Sequence, residues 1–452
     1  MNKDRTQWLA DLADSLGQSK AALEVENARL RTRLAKGMID LFTATPAAQR
    51  DAMLIGFLKD PLADVRLVGL ELLGRSIDGG AAASSELCQQ VKMLLTDTDE
   101  PVRQESAKVL AVTGDAEAMN FLVERLKVET APAVRQGILM ALGQLHDSKS
   151  MPSVLAEVNS RDEDVAAAAA MAVGRIVSKA PPEEADRRLA ISAITDRYSA
   201  LGKTAAETPL REALLAAMGD LAEKNFIPML EAALQDEATT VRLAAVSSLS
   251  KLGATASAAA VEKLVTDNDR GVRGAALAAL RTLDGLKYLQ VILQRTDSAA
   301  EVDAANRQQA WDLVMGILAK ADVKVLADVA DKLASRQDAV AQRIKVLQML
   351  AALMKDSNDL QMPSVLRQVG LVLAKNDRHA EACPYLADAY KAMAAAQSPE
   401  CQAAWLEWVD AMLAADDPSA VKELAAQSDN AQFCKAMEYC DARLADMDKK
   451  GR

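Results

Sequence analysis

One short pattern returns along this chain and limits what it can fold into. An acidic residue is followed five positions later by Val-Arg, and then by a stretch of small residues and leucine. "DPLADVRLVGLELLG" starts at Asp60, "DTDEPVRQESAKVL" at Asp97 and "ETAPAVRQGILMALG" at Glu129. "DEATTVRLAAVSSLSKLG" starts at Asp236 and "DNDRGVRGAALAALRTL" at Asp267. Weaker copies place Val165 in register with Ala166 where the arginine belongs, then Leu210-Arg211 and Asn306-Arg307. The steps from Val65 through Val102, Val134, Val165, Leu210, Val241 and Val272 to Asn306 are 37, 32, 31, 45, 31, 31 and 34 residues. A period near 31 is the mark of stacked units, each one supersecondary element that buries its apolar face against the next. The long step absorbs an extended segment around residues 179–204.

Each copy is preceded by a second amphipathic stretch, such as "SSELCQQVKMLL" (84–95), "AEAMNFLVERL" (116–126), "KSMPSVLAEV" (149–158) and "NFIPMLEAAL" (225–234). Pro152 and Pro228 sit near the starts of two of them, where a missing N–H costs nothing. Asp and Thr residues ahead of the motif helices are fit to cap them. The unit therefore reads as helix, short turn, helix. With only 5 Phe, 5 Tyr and 4 Trp in 452 residues, alanine and leucine must fill the interior, which suits closely approaching helices and not sheets. The expected fold class is all-α, a solenoid of helix-turn-helix repeats.

The Asp/Glu, the Val-Arg pair and the Ala/Leu/Gly helix together resemble the HEAT-repeat family, in its short bacterial variety of the phycobilisome-lyase type. The resemblance spans roughly residues 50–320, eight units. It implies a ladder in which the acid of one repeat pairs with the arginine of its neighbour. By that resemblance Asp60, Asp97, Glu129, Asp236, Asp267 and Glu301 would pair among Arg66, Arg103, Arg135, Arg242, Arg273 and Arg307. Ala166 interrupts it once. An active site needs its groups once, whereas these recur, so the ladder reading is preferred to catalysis.

The ends differ. Leu9, Leu16, Leu23 and Leu30 are spaced by seven, with Ala13, Lys20, Asn27 and Leu34 at the alternate seam positions, so residues 1–45 read as a zipper-like amphipathic helix. Glu24, Glu26, Arg31 and Arg33 fall at the flanking positions, and Gly17 and Gly37 weaken or end the pattern. Two readings stand, self-association through this helix or its folding back onto the first repeat. After the array (46–320) comes a degenerate repeat around Arg343 (321–361). In 362–452, Gly370, Leu373, Ala382, Leu386 and Ala389 fall at tetratricopeptide (TPR) offsets, with Leu366 and Ala394 departing from them. That region is similar to a TPR unit and is expected to cap the solenoid. Trp405, Trp408 and Tyr439 then pack within it or line a peptide groove.

Chemistry is bounded by what is missing. Two histidines, His146 and His379, and five scattered cysteines without C-x-x-C give no zinc spacing and suit a reduced, cytoplasmic protein. His146 precedes Asp147 and His379 precedes Ala380, which excludes the His-Glu pairs of deoxyhypusine hydroxylases. No phosphate-cradling glycine motif is present. The 64 acids against 53 bases give a net charge of −11, which repels polyanions and disfavours nucleic acid. No signal peptide is expected, and the uncharged run 165–174 is too short to span a membrane. No cofactor and no catalytic or metal-binding residue is expected. The expected function is a non-catalytic scaffold or adaptor for protein partners, with a homodimer through the N-terminal helix as one possibility. The competing class is a HEAT enzyme resembling a phycobilin lyase or an alkylpurine DNA glycosylase.

Overall fold

A computed structural model describes residues 25–180, 182–357 and 359–415. Among these residues every regular element is helical. The chain divides into two compact units, 1–284 and 285–452. The division falls between the seventh and eighth copies of the motif.

In the first unit, α1 (residues 25–44) precedes seven helix pairs. These are α2 (Ala47–Leu58) with α3 (Ala63–Asp78), α4 (Ser85–Leu94) with α5 (Glu100–Val112), and α6 (Ala118–Val128) with α7 (Pro132–Leu145). Then come α8 (Met151–Val158) with α9 (Glu163–Lys179), α10 (Glu184–Ser199) with α11 (Thr208–Leu221), α12 (Ile227–Ala233) with α13 (Thr239–Lys251), and α14 (Ala258–Glu262) with α15 (Arg270–Asp284). The 179–204 segment is thus a complete first helix, α10, and the long step comes mainly from the length of that helix, 16 residues against 8 in α8, with a longer loop after it. The motif valines Val102, Val134, Val165, Val241 and Val272 are fully buried, as is Leu210 in their place. Burying a side chain of that size contributes roughly 1.5–3 kcal/mol, repeated at every unit.

Capping is part of the motif. Three residues before the valine, Asp99, Asp162 and Asp269 each accept the backbone N–H of Val102, Val165 and Val272 at 3.3, 3.0 and 3.0 Å. Proline at the first turn of α5, α7, α8, α11 and α12 starts five helices without losing a hydrogen bond.

The second helices touch in unbroken succession, α3 to α5, α7, α9, α11, α13 and α15, and more extensively than the first helices do. At three of these joints a glycine nine residues after the motif residue makes the close approach possible. A Cβ on Gly143 would lie 3.0 Å from Ala172 Cα, and one on Gly174 2.6 Å from Asp220 Oδ2. On Gly219 it would lie 2.6 Å from Ser248 Oγ and 2.9 Å from Ser248 Cα. A stack that is tighter in one layer curves toward that layer, so the second helices form the inner face of this unit.

The second unit pairs α16 (Leu289–Gln294) with α17 (Ala304–Leu318), α18 (Val323–Lys332) with α19 (Val340–Ser357), and α20 (Met362–Ala374) with α21 (His379–Ala395), followed by α22 (Cys401–Ala414). The TPR-offset residues Gly370, Leu373, Ala382, Leu386 and Ala389 are all buried in α20 and α21. Gly370 lets the two helices close, since a Cβ there would lie 2.4 Å from Leu386 Cγ. Trp405 and Trp408 are buried, and Trp408 stacks on Tyr390 at 5.9 Å, so both tryptophans pack within this unit. Tyr439 lies outside the described residues.

Two glycines in equivalent positions separate packing from propensity. Gly219→Ala forces a methyl group against the Ser248 backbone and lowers stability by about 1–3 kcal/mol. Gly74→Ala meets only Val109 Cγ2 at 3.6 Å and gains up to ~1 kcal/mol from helix propensity. Urea unfolding midpoints of the two variants should move in opposite directions.

Candidate functional site

The acid and arginine of each motif build the joints of the first unit. Arg66 directs Nε and Nη2 at the two carboxylate oxygens of Asp97, both at 2.8 Å, while its Nη1 donates to the Asp60 and Pro61 carbonyls. Arg103 does the same to Glu129 at 2.9 and 3.2 Å, with Nη1 on the Asp97 and Thr98 carbonyls. Arg242 holds Asp267 at 2.8 and 2.8 Å, with Nη1 on the Asp236 and Glu237 carbonyls. One guanidinium thus shapes its own turn and clips the next unit, using the planar fork that lysine lacks. Each acid also accepts a backbone N–H two residues on. Leu62, Asp99, Ala131, Ala238, Asp269 and Asp303 donate to Asp60, Asp97, Glu129, Asp236, Asp267 and Glu301.

Not every candidate lies in that frame. The Asp60 carboxylate stays in its own turn, with Leu62 N–H. Arg135 pairs with Glu157 at the end of α8, because the next acid position holds Ser160. Arg273 and Arg307 donate Nη1 to the carbonyls of Asp267 and Asn268, and of Glu301 and Val302, as Arg66 does in its turn. Beyond the twelve ladder residues, Arg211 in the weak fifth copy is buried and binds Asp236 at 2.6 Å. Where Ala166 replaces arginine, Arg197 from α10 donates to the Ser160 carbonyl at 3.4 Å. That carbonyl is the one the missing arginine would have taken.

The recurring charges are therefore occupied. Burial alone pushes the Glu129 carboxyl upward, but the Arg103 guanidinium, the Ala131 N–H and the Arg125 guanidinium outweigh it and hold the group at about 2. Burial also raises Asp267, and Arg242 with the Asp269 N–H brings it below the ordinary carboxylate value. Among the described residues no cluster of His, Cys, Asp and Glu could hold a metal ion. His146 ends α7 in the left-handed conformation with Nδ1 3.0 Å from the Arg175 carbonyl.

What remains open to solvent is one stripe along the inner face. Each second helix is covered by its first helix and by its neighbours in the stack, and the position six after the motif residue faces out. Glu71, Lys108, Met140, Met171 and Ser247 are exposed there, and Ala216 and Ala278 are half-buried. Met140 and Met171, on adjacent helices, are 43% and 42% exposed. Exposed methionine is an adaptable, apolar contact.

Of the zipper residues, Leu9, Leu16 and Leu23 lie outside the described residues. Asn27, Leu30 and Leu34 are exposed on α1, whose later turns bury Met38 and Phe42. Arg31 Nε meets Asp64 Oδ2 at 3.0 Å.

The pH dependence of the Glu129 joint follows from its sign. Unfolded, this carboxyl titrates at the ordinary 4.5, and folded at about 2. Its contribution is complete above 4.5 and is lost as the pH falls toward 2. Glu129→Gln should unfold at lower urea than wild type at pH 7, and the gap between the two midpoints should close on acidification. A gap that does not change with pH contradicts this assignment.

Residues 51–143 and 198–281 match the family model for HEAT repeats. The stretch between the two matches holds the fourth copy, where Ser160 and Ala166 depart from the motif, together with most of α10. No curated protein sequence is significantly similar to this chain. Among solved structures, the chain is similar to the CpcE–CpcF complex of phycocyanin lyase from Nostoc sp. PCC7120, at 18% identity over 61% of this chain and 96% of that one, with a TM-score of 0.37. It is also similar to a chain of the Kap95:Nup1 complex, at 16% identity over 86% of this chain and 61% of that one, with a TM-score of 0.47. Residues 51–143 and 198–281 of this chain are HEAT repeats.

Proposed function

We propose that this protein is a non-catalytic scaffold that holds one or more protein partners along the inner face of its first unit. The observation that carries this reading is the division of labour among its side chains. The charged residues that recur are spent on the joints, and the exposed stripe differs in chemistry from unit to unit. A stack of short units offers a long surface on which many weak contacts add along one partner. In this reading Met140 and Met171 form the apolar centre of the contact, and Glu71 and Lys108 add charge toward one end.

The reading includes no cofactor and no bond-making step, and the net negative charge argues against nucleic acid as the partner. Cys88, Cys383 and Cys401 are free thiols, in keeping with a reducing cytoplasm. Among the described residues no helix is long and apolar enough to cross a membrane. The N-terminal helix is a second contact surface, separate from the inner face.

Affinity purification of the full chain from its native host tests this reading. Wild type should retain a stoichiometric protein partner. A Met140→Lys/Met171→Lys variant should lose at least tenfold of it while unfolding at the same urea concentration, since exposed substitutions cost within about 0.5 kcal/mol. Recovery of nucleic acid or a tetrapyrrole in place of a protein contradicts the scaffold reading.

A further inference from the structure

The helix α1 carries two separate faces, and only one is used within the chain. Met38 and Phe42 are buried at 6% and 8% exposure, and the Arg50 guanidinium lies over the Phe42 ring at 5.1 Å. These contacts anchor the later turns of the helix to the first repeat. About a quarter-turn around the helix runs the seven-residue seam. There Leu30, Leu34 and Leu41 are 51%, 38% and 53% exposed, and Asn27 is exposed as well. In the sequence Leu9, Leu16 and Leu23 continue the phase of Leu30 toward the N-terminus.

We propose that this seam joins two copies of the chain through a parallel, in-register two-stranded coiled coil. Three features select a second copy as the occupant. Asn27 stands in a row of leucines, where an amide is satisfied opposite an identical amide, and asparagine at that heptad position favours two parallel strands. Glu26 and Arg31 take the two positions that flank the seam. In a parallel pair Glu26 of one copy faces Arg31 of the other, twice by symmetry. The third feature is that the anchor leaves the seam open.

Arg31 already meets Asp64, but that pair is solvent-exposed, at 68% and 42%, and such pairs are worth only about 0.2–1 kcal/mol. It exchanges for Glu26 of a second copy at little cost. Joining two chains here would set two inner faces at high effective concentration for a partner with repeated binding sites. The proposal does not depend on what the inner face binds, and partner capture reads that separately.

Light scattering on the full chain tests it. Wild type at micromolar concentration should have twice the monomer mass. Leu30→Glu/Leu34→Glu should halve that mass with an unchanged far-ultraviolet circular dichroism spectrum, because both leucines are exposed in the single chain. Leu30→Cys should cross-link to itself under mild oxidation, since only the parallel, in-register pair sets the two sulfurs side by side. A monomeric wild type overturns the proposal, as does a dimer that survives the double substitution. A dimer whose Leu30→Cys variant fails to cross-link overturns the parallel register.

Discussion

The arginine after each motif valine is the contact on which the rest of the first unit depends. An exposed ion pair contributes about 0.2–1 kcal/mol and organises little. These pairs differ because the carboxylates of Asp97, Glu129, Asp236 and Asp267 are almost wholly removed from water. Leaving such a group without its partner costs roughly 3–5 kcal/mol, so arginine and acid are needed together. In the regular copies the arginine's third nitrogen holds the carbonyls of its own turn. The acid oxygen that takes Nη2 also accepts the N–H two residues on and so fixes the turn that starts the next motif helix. Turn shape, helix direction and the docking of the next unit are set by one side-chain pair.

From that joint the functional surface follows. The clip brings the second helices together, glycine lets them close, and the inner face is the strip left uncovered. The same structural position then carries Glu71, Lys108, Met140, Met171, Ala216, Ser247 and Ala278. A site that repeats in geometry but varies in chemistry is suited to reading an extended partner unit by unit. The fourth copy shows how far the joint tolerates change. Without an arginine at Ala166, α9 relies on five consecutive buried alanines, Ala166 to Ala170, for close packing, and Arg197 supplies the hydrogen bond.

Much of this was legible in the sequence because the joint and the core recur in phase. Val65, Val102 and their equivalents marked the second helices, and the acid-arginine pattern indicated which groups meet. The irregular parts were not legible, for a physical reason. Glu157 partners Arg135 only because Ser160 vacates the acid position, and Arg197 reaches that same turn from a helix 37 residues away in sequence. Neither falls at a repeating offset, so no periodicity could point to them. The exposed stripe was equally hidden, since Met140 and Met171 read as core-type residues until their surroundings are known. Of the two readings drawn from the heptads for α1, the docking of Met38 and Phe42 agrees with folding back onto the first repeat, and self-association stands as the proposal made above.

The central claim is that the arginine-acid joint, rather than helix packing alone, couples one repeat to the next. A double-mutant cycle on Arg242 and Asp267, each replaced by alanine singly and together, tests it most directly by urea unfolding. The account predicts a coupling energy of about 1–3 kcal/mol, with the double variant more stable than the sum of the single losses implies. Additivity within about 0.5 kcal/mol would contradict it and leave the stack to its apolar core alone.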